Sequence, residues 1–387
     1  MQPASLVESR PRWREALDQR FELARGGVGH NVRPMEGLRG LAVFLVFLVH
    51  YVTLSMPLVP PGSALARGAA LLHAMGNVGV DLFFVLSGYL IYGSLVARRQ
   101  AYGPFIWRRV VRIYPAFLVV FALYLVLTVV FPGESKVPKD PEAAALYLLA
   151  NLLLLPGLAP IEPMIAVAWS LSYEFFYYLV MPVLVTLLAL QRRRSMTRVL
   201  LFSSLWLVGL LVASALGGPV RLLMFVPGIL LHEWLLLAPR SQGRSAFGAA
   251  ALVLALALAA VPAPGPAGQA LKVSGLGLLF LVACRCSFSD PQGWLARGLS
   301  WTPMRWLGNS SYSYYLIHGV ALKALFMLVG RWWPTPANAP GGLFWWWLPM
   351  AFAWTCIPAV ALFLWIERPL SLTPKVRAGR LAGAKSA

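Results

Sequence analysis

The stretch Arg39-Gly-Leu-Ala-Val-Phe-Leu-Val-Phe-Leu-Val-His50 places an ionisable residue at each end of ten apolar or glycine positions. An α-helix has 3.6 residues per turn, so Arg39 and His50 lie about three turns apart on one helix face. Their separation along the axis is ~16 Å, roughly half the thickness of a bilayer core. Ionisable groups at such depth are costly and usually face an interior cavity, which favours a functional site. The alternative is an arginine that extends to the membrane surface and a histidine packed for structural reasons.

The composition of the chain is typical of a multi-pass membrane protein. Of its 387 residues, 59% are apolar and 12% are charged, and the mean hydropathy is +0.70. A soluble domain of this size could not remove that much apolar surface from water. The net charge of +19 would favour nucleic acid binding in a soluble protein. Here the basic residues lie between long apolar runs, as in cytoplasmic loops, and we expect no nucleic acid partner.

Ten apolar runs are long enough, or nearly long enough, to span a bilayer. They cover about residues 39–57, 77–96, 113–131, 171–190, 199–217, 220–237, 246–262, 269–284, 310–330 and 343–366. An eleventh run, 143–155, is short, and counting it as a span would put the cluster Arg192 to Arg194 outside. The positive-inside rule therefore predicts an all-α protein with about ten transmembrane helices, one short re-entrant or interfacial segment, and both termini in the cytoplasm.

Arg109 and Arg112 lie at the cytoplasmic end of the third predicted span, at positions i and i+3 of one helix face. The planar guanidinium group suits phosphate, so this pair could hold a phosphorylated cytoplasmic ligand. The alternative is charge that only sets the membrane topology, which is common for arginines of an inner loop. Convergence of Arg39 with the pair would favour a binding site, and the sequence leaves that point open.

Further polar residues lie at the middle or outer depth of the predicted spans. Asp81 opens the second span and Glu174 opens the fourth, both in apolar and aromatic sequence where an unpaired charge is costly. A carboxylate at a helix start can also be a simple cap, and that interpretation is stronger for Asp81. In the ninth span, Ser311, Tyr315 and His318 share one face.

His50 is the natural general base among these groups, because an unperturbed imidazole titrates near neutrality. Glu174 or Asp81 could orient the imidazole or bind a polyhydroxyl acceptor. We predict no metal site, since metal-ligand spacing is lacking among the cysteines, Cys284, Cys286 and Cys356. A cationic inner site joined by one helix to a buried histidine–carboxylate site suits a reaction that draws an anionic donor from the cytoplasm.

Six blocks, in order along the chain, resemble the acyltransferase-3 family, bacterial membrane proteins that O-acylate carbohydrates and related acceptors. The blocks are Gly37-Leu-Arg-Gly-Leu-Ala42 continuing to His50, Gly79-Val-Asp-Leu-Phe-Phe-Val-Leu-Ser-Gly88, Arg109-Val-Val-Arg-Ile-Tyr-Pro115, Trp169-Ser-Leu-Ser-Tyr-Glu174, Ser311-Tyr-Ser-Tyr-Tyr-Leu-Ile-His318 and Glu367-Arg-Pro369. The resemblance covers about residues 33 to 370. One block alone would be weak evidence, whereas six in order are strong.

The resemblance implies ten core transmembrane helices and acyl-CoA as the donor, with acetyl-CoA expected. It implies that Arg39 and His50 form the family's Arg-x10-His motif, with His50 catalytic. It also implies that Arg109 and Arg112 form the Arg-x-x-Arg motif, and that Ser87 belongs to a Ser-Gly pair that makes a close helix contact beside the acyl path. The candidate residues are His50, Glu174 and Asp81 for catalysis, and Arg39, Arg109, Arg112 and Ser87 for donor binding.

We therefore predict an integral-membrane O-acyltransferase of the bacterial cytoplasmic (inner) membrane. Residues 37–370 would form the membrane acyltransferase domain, between a basic cytoplasmic segment, 1–36, and a short basic cytoplasmic tail, 371–387. The expected partners are acyl-CoA, membrane lipid, and a carbohydrate, lipid-linked glycan or glycosylated metabolite that accepts the acyl group on a hydroxyl.

Two other classes of function fit parts of the pattern. A proton-coupled transporter would also carry histidine and carboxylate groups inside a helix bundle, but it often shows repeat symmetry and does not need a set of phosphate-binding arginines. A lipid-binding scaffold would explain the basic inner loops through anionic headgroups, but it leaves His50 and Glu174 without a role.

Overall fold

The computed structural model describes residues 12–23, 33–238, 244–332 and 342–372, and every regular segment within them is helical. The first seven helices are α1 (Arg12–Phe21), α2 (Arg33–Ser55), α3 (Ala64–Ala97), α4 (Tyr102–Val130), α5 (Pro141–Leu152), α6 (Ala168–Leu187) and α7 (Ser195–Leu216). The other seven are α8 (Phe225–Leu237), α9 (Ser245–Ala260), α10 (Gly265–Ser289), α11 (Trp294–Leu299), α12 (Thr302–Asn309), α13 (Ser311–Trp332) and α14 (Gly342–Leu362). A 3-10 turn, Val220–Met224, leads into α8, and a π-helix, Phe363–Leu372, continues α14.

Within the described ranges, nine helical segments are long and apolar enough to cross a bilayer. They are α2, α3, α4, α6, α7, α8 with its 3-10 turn, α10, α13, and α14 with its π-helix. The apolar helix α9 is shorter, at 16 residues, and occupies the place of the seventh predicted run. The short run at 143–155 forms α5, of 12 residues. The prediction of an all-α multi-pass membrane protein is confirmed, and the orientation of its termini stays a prediction.

The second membrane helix begins earlier than its apolar run indicates. Ser63 caps α3, because its hydroxyl accepts the backbone N–H of Ala66 at 3.0 Å. Asp81 therefore lies deep inside α3, and Glu174 lies in the second turn of α6, which begins at Ala168. The interpretation of these two carboxylates as helix caps is wrong, since a cap must precede the first turn whose N–H groups it satisfies.

Small residues allow the central helices to touch. The side of α3 that carries Gly88 crosses α8 so closely that a Cβ atom at this position would overlap the carbonyl group of Phe225. On α8, Gly228 meets the backbone of α3 in the same way. Close approach of backbones through glycine is a recurrent device of membrane helices, since it increases dispersion contacts without a large side chain. The close helix contact expected at the Ser-Gly pair is present at Gly88, and the place of Ser87 beside an acyl path stays a prediction.

The amphipathic helix α1 is fastened to α12. Phe21 stacks on Trp306 with ring centroids 5.4 Å apart, and Arg305 binds Glu22 at 2.6 Å and Glu36 at 2.8 Å. Burial alone would lower the pKa of the Arg305 guanidinium, but the two carboxylates raise it above its ordinary value. The predicted boundary between residues 36 and 37 falls inside α2. Most of the predicted tail, and residues 1–11 and 24–32 of the predicted N-terminal segment, lie outside the described residues.

Candidate active site

A cavity of about 1140 Å³ lies between α2, α3, α4, α6, α8 and α13. In the part of the chain that the structure describes, six arginines line it, namely Arg39, Arg98, Arg99, Arg108, Arg109 and Arg112. They come from the N-terminal halves of α2 and α4 and from the two residues that follow α3, so basic clusters that are separate in sequence meet at one end of the bundle. We call this cavity the arginine cavity, and this end of the bundle the basic end.

The arginine cavity gathers most of the predicted site residues, but not all of them. It is lined by Arg39, Arg109, Arg112, Ser87 and Glu174, whereas His50 and Asp81 do not line it. Arg39 therefore lies in the same cavity as Arg109 and Arg112, a point that the sequence left open. Charge that only sets topology explains why these arginines occupy one side of the membrane, but it does not explain why they share a cavity.

Arg39 joins α2 to the start of α13. Its Nη2 and Nε donate to the hydroxyl of Ser311 at 2.8 and 3.2 Å, and its Nε also reaches the carbonyl of Gly308 at 3.3 Å. These bonds hold the guanidinium in one orientation at the cavity wall. Since the interaction crosses 272 positions of sequence, no local pattern could have revealed it.

Arg112 is held by a buried carboxylate. Its Nη1 lies 2.5 Å from Oε1 of Glu367, a residue of the π-helix whose side chain is 0% exposed. The other carboxylate oxygen accepts the backbone N–H of Ser313 at 3.0 Å and its hydroxyl at 2.5 Å. The Arg112 guanidinium also lies over the ring of Tyr312, 5.3 Å from its centroid. One charge of the predicted phosphate-binding pair is thus neutralised locally.

Arg109 is held by aromatic rings instead. Its guanidinium lies 4.9 Å from the ring centroid of Phe105 and 5.1 Å from that of Tyr178, within the range of cation–π attraction. Its Nε is buried and has no hydrogen-bond partner, and no carboxylate of the described residues pairs with it. Arg109 therefore keeps its full positive charge at the wall of the arginine cavity.

Glu174 faces α3 from the second turn of α6. Its Oε1 accepts the hydroxyl of Tyr178 at 2.5 Å and the hydroxyl of Ser87 at 3.3 Å. Ser87 and Glu174, which belong to separate sequence blocks, thus meet in the cavity wall. Tyr178 was missed by the sequence analysis, although its spacing of four residues from Glu174 places it on the same helix face.

His50 packs against a second histidine. The rings of His50 and His318 lie 4.9 Å apart between centroids, at an interplanar angle of 70°. His318 is fully buried, and its Nδ1 lies 3.0 Å from the carbonyl of Tyr314 and 2.9 Å from that of Tyr315. A carbonyl only accepts, so Nδ1 carries the proton and Nε2 of the neutral ring is an acceptor. We call His50 and His318 the histidine pair.

Tyr315 links the wall of the arginine cavity to the histidine pair. The Tyr315 and Ser170 hydroxyls lie 2.6 Å apart, and both residues line the cavity. The Tyr315 ring lies 6.1 Å from that of His318. The cavity thus reaches from the basic end to the residues that directly border the histidine pair.

Asp81 is engaged by a cation that the sequence analysis did not single out. Its side chain is 1% exposed, and its Oδ1 lies 3.3 Å from Nε of Arg221, which is 32% exposed. The Arg221 guanidinium also lies 5.6 Å from the ring centroid of Trp169. Asp81 is therefore part of an ion pair between α3 and the 3-10 turn before α8, and it makes no contact with His50.

The electrostatics of the arginine cavity favour an anion. Among the described residues, its lining contains six arginines and a single carboxylate, that of Glu174. In the part of the chain that the structure describes, no group of three His, Cys, Asp or Glu side chains could hold a metal ion. Guanidinium groups bind phosphate through paired N–H donors, so a polyphosphorylated ligand suits this end of the site.

Fold and site together define a multi-pass membrane protein with a cationic cavity at one end and a buried histidine pair beyond it. A family model described as an acyltransferase domain matches residues 34–364. The chain therefore belongs to the acyltransferase-3 family, as its six sequence blocks indicated.

Several curated proteins are similar to this chain. Peptidoglycan O-acetyltransferase OatA of Listeria monocytogenes is 26% identical, over 74% of this chain and 49% of its own length. YrhL of Bacillus subtilis is 26% identical, over 88% of this chain and 55% of its own. O-acetyltransferase OatA of Staphylococcus aureus is 27% identical, over 63% of this chain and 45% of its own length. The chain thus spans about half the length of these relatives. No solved structure matches it significantly.

Proposed function

We propose that this protein is a membrane O-acyltransferase. It would move an acyl group, with acetyl expected, from cytoplasmic acyl-CoA to a hydroxyl of a carbohydrate or glycosylated acceptor. The proposal is supported by the family and by relatives whose names describe O-acetyltransferases. The observation that carries it is the continuity from an arginine-lined cavity at the basic end to a histidine pair at greater depth, with one helix, α2, contributing to both.

The arginine cavity is the proposed donor site. Arg109 and Arg39 would bind the phosphate groups of acyl-CoA, because Arg109 has no carboxylate partner among the described residues and Arg39 is already oriented by Ser311. Arg112 would contribute positive potential while it holds the π-helix through Glu367. Ser87 would act through its contact with Glu174 at the cavity wall.

His50 is the proposed general base. It would take the proton of the acceptor hydroxyl while the oxygen attacks the carbonyl carbon of the thioester. Collapse of the tetrahedral intermediate breaks the carbon–sulfur bond, and the imidazolium returns the proton to the departing thiolate. The products are the O-acylated acceptor and CoA with a free thiol. In a variant of this scheme, His50 or another nucleophile carries the acyl group before an outward-facing acceptor takes it.

The two carboxylates have different proposed tasks. Glu174 would contact the donor, since it lines the same cavity as Arg109. Asp81 would act as a positioning residue, because its ion pair with Arg221 fixes the 3-10 turn against α3. Neither would need to contact His50 for the reaction described above.

We further propose that the basic end faces the cytoplasm of a bacterial inner membrane, with residues 37–370 as the acyltransferase domain and the flanking segments 1–36 and 371–387 cytoplasmic. Acyl-CoA is a cytoplasmic metabolite, so this orientation gives it direct access to the arginine cavity. The acceptor would approach the histidine pair from elsewhere in the bundle, and carbohydrate, lipid-linked glycan and glycosylated metabolite all carry suitable hydroxyls.

The test is acetyl-CoA-dependent release of free CoA by the purified protein in lipid nanodiscs, supplied with a soluble carbohydrate acceptor. General base catalysis is worth about 10²- to 10⁴-fold, so we expect His50→Ala to lower the rate by at least 100-fold. His50→Ala must elute as the same folded species as the wild type in size-exclusion chromatography. Equal CoA release by wild type and His50→Ala would exclude this mechanism.

The same protein distinguishes direct attack from an acyl relay. Wild type is mixed with radiolabelled acetyl-CoA in the absence of an acceptor. A stable label on the protein that His50→Ala loses would favour the relay, and its absence would favour direct attack. A proton-coupled transporter would release no CoA in either experiment.

A further inference from the structure

Glu174 is an unusual component of the arginine cavity. It is the single acidic side chain among the described residues that line the cavity, and it is partly exposed there. Both of its hydrogen bonds, from Tyr178 and Ser87, reach Oε1. Among the described residues, no donor reaches Oε2 and no cation forms an ion pair with this carboxylate. One oxygen therefore remains available to accept a hydrogen bond from a ligand.

Glu174 belongs to a row of three polar residues along one face of α6. Ser170, Glu174 and Tyr178 lie at i, i+4 and i+8 on one helix face, with a rise of ~6 Å between neighbours. Ser170 contacts Tyr315, which borders the histidine pair, and Tyr178 stacks under Arg109. Along α6, Glu174 thus lies between Tyr178, which contacts Arg109, and Ser170, which contacts Tyr315 beside His318.

A ligand that bridges these two ends must place its middle against Glu174. A carboxylate repels phosphate and attracts N–H and O–H groups, so it cannot serve the anionic end of the ligand. Acyl-CoA has its phosphates at one end and its thioester at the other, and the pantetheine arm between them carries two secondary amides. This order of groups matches the order of arginine, carboxylate and histidine in the protein.

Resting on the proposed function, we propose that Glu174 accepts a hydrogen bond from an amide N–H of the pantetheine arm. Tyr178 and Ser87 hold Oε1 and leave Oε2 for this bond. The contact makes the site selective for thioesters that carry an amide-bearing arm over acyl donors that lack one, such as acyl phosphates. Glu174 is then a specificity-determining residue for the donor.

The test combines a change in the ligand with a change in the protein. Two analogues of acetyl-CoA are made, each with one of the two amide nitrogens methylated, together with their non-reactive thioether counterparts. Methylation removes the N–H and leaves the phosphates intact. For wild type, Glu174→Gln and Glu174→Leu, the donor kcat/KM and the Kd of the thioethers are measured. Glu162→Leu, an exposed carboxylate outside the cavity, is the matched control.

A hydrogen bond to a charged group accounts for a factor of about 10 to 100. We expect one methylated analogue to lose that factor on wild type and on Glu162→Leu. In Glu174→Leu, affinity and kcat/KM for the unmethylated compound should fall by the same factor, and methylation should then cause no further loss. Glu174→Gln should give intermediate values, because its amide oxygen still accepts a hydrogen bond. A purely steric effect of the methyl group would persist in Glu174→Leu, and this result would overturn the proposal.

The wild-type measurements keep the proposal testable even if Glu174→Leu fails to fold. If wild type tolerates both methylations without loss of kcat/KM or affinity, the role of Glu174 is excluded while the proposed function stands. If wild type neither turns over acetyl-CoA nor binds its thioether, both the donor assignment and the role of Glu174 are wrong.

Discussion

At the residue scale, His318 is oriented by the backbone around it. Two carbonyls fix the proton on Nδ1, so that the acceptor nitrogen Nε2 is left buried in the ring next to His50, without a hydrogen-bond partner among the described residues. A buried polar atom without a partner is costly and rare, so it calls for an explanation such as a catalytic role. In the proposed reaction this nitrogen can accept the N–H of His50 or the hydroxyl of the acceptor.

Arg109 allows a prediction at the same scale. Its charge has no carboxylate partner in the described residues, so its removal should weaken donor binding more than it perturbs the fold. A charge-assisted hydrogen bond contributes roughly 1.5–3 kcal/mol, and we therefore expect Arg109→Ala to raise the KM for acetyl-CoA about 10- to 100-fold. Steady-state kinetics check this. Arg67→Ala, at an exposed arginine, is the control and should leave KM unchanged. An unaltered KM in Arg109→Ala would remove this residue from the donor site.

At the scale of elements, the ion pair between Arg112 and Glu367 fastens the π-helix to α4 and α13. Glu367 is completely buried and also accepts two bonds from Ser313, so Glu367→Gln leaves the Arg112 charge without its partner. Loss of one member of a buried pair costs about 3–5 kcal/mol. We expect that decrease in the free energy of unfolding, measured by denaturation in detergent. Glu162→Gln, which breaks an exposed pair with Lys136, should change stability far less.

The crossing of α3 and α8 leads to a second prediction about elements. A methyl group at Gly88 would overlap the Phe225 carbonyl, and the backbones would have to separate. Overpacking typically costs 1–3 kcal/mol, so Gly88→Ala should lower the thermal midpoint and also CoA release, because Ser87 precedes it. Gly103→Ala is the matched control, since no atom lies near a Cβ atom there. Equal stability of the two variants would show that the crossing is not close in solution.

At the scale of the whole molecule, the distribution of charge predicts orientation. Arg193 lies between α6 and α7, next to the basic end, whereas Glu162 lies between α5 and α6 at the opposite end. With the basic end in the cytoplasm, Glu162→Cys in intact cells should react with a membrane-impermeant maleimide, and Arg193→Cys should react only after permeabilisation. Wild type measures the background from the three native cysteines. The reverse labelling pattern would invert the proposed topology.

Much of the architecture could be predicted from local sequence. Each apolar run corresponds to a helix, and even the short run at 143–155 was recognised as different from a span. The errors in the predicted helix bounds fall at polar helix ends, because the apolar run stops while the helix continues. The helix α3 begins at Ala64, 13 residues before the start of the apolar run at residue 77. Asp81 is therefore an interior residue of the helix and not a cap.

The sequence by itself determined that this chain crosses a membrane many times, that many of its arginines lie at the ends of spans or between them, and that Arg39 and His50 share a helix face. Hydropathy and helical periodicity are properties of neighbouring residues, so they can be read locally. Only the tertiary structure decided which groups meet, such as Arg39 with Ser311, Arg112 with Glu367 and His50 with His318. The two residues of each pair are separated by more than 250 positions. Their contacts depend on how the helices pack against one another, and the periodicity of a single segment carries no information about that packing.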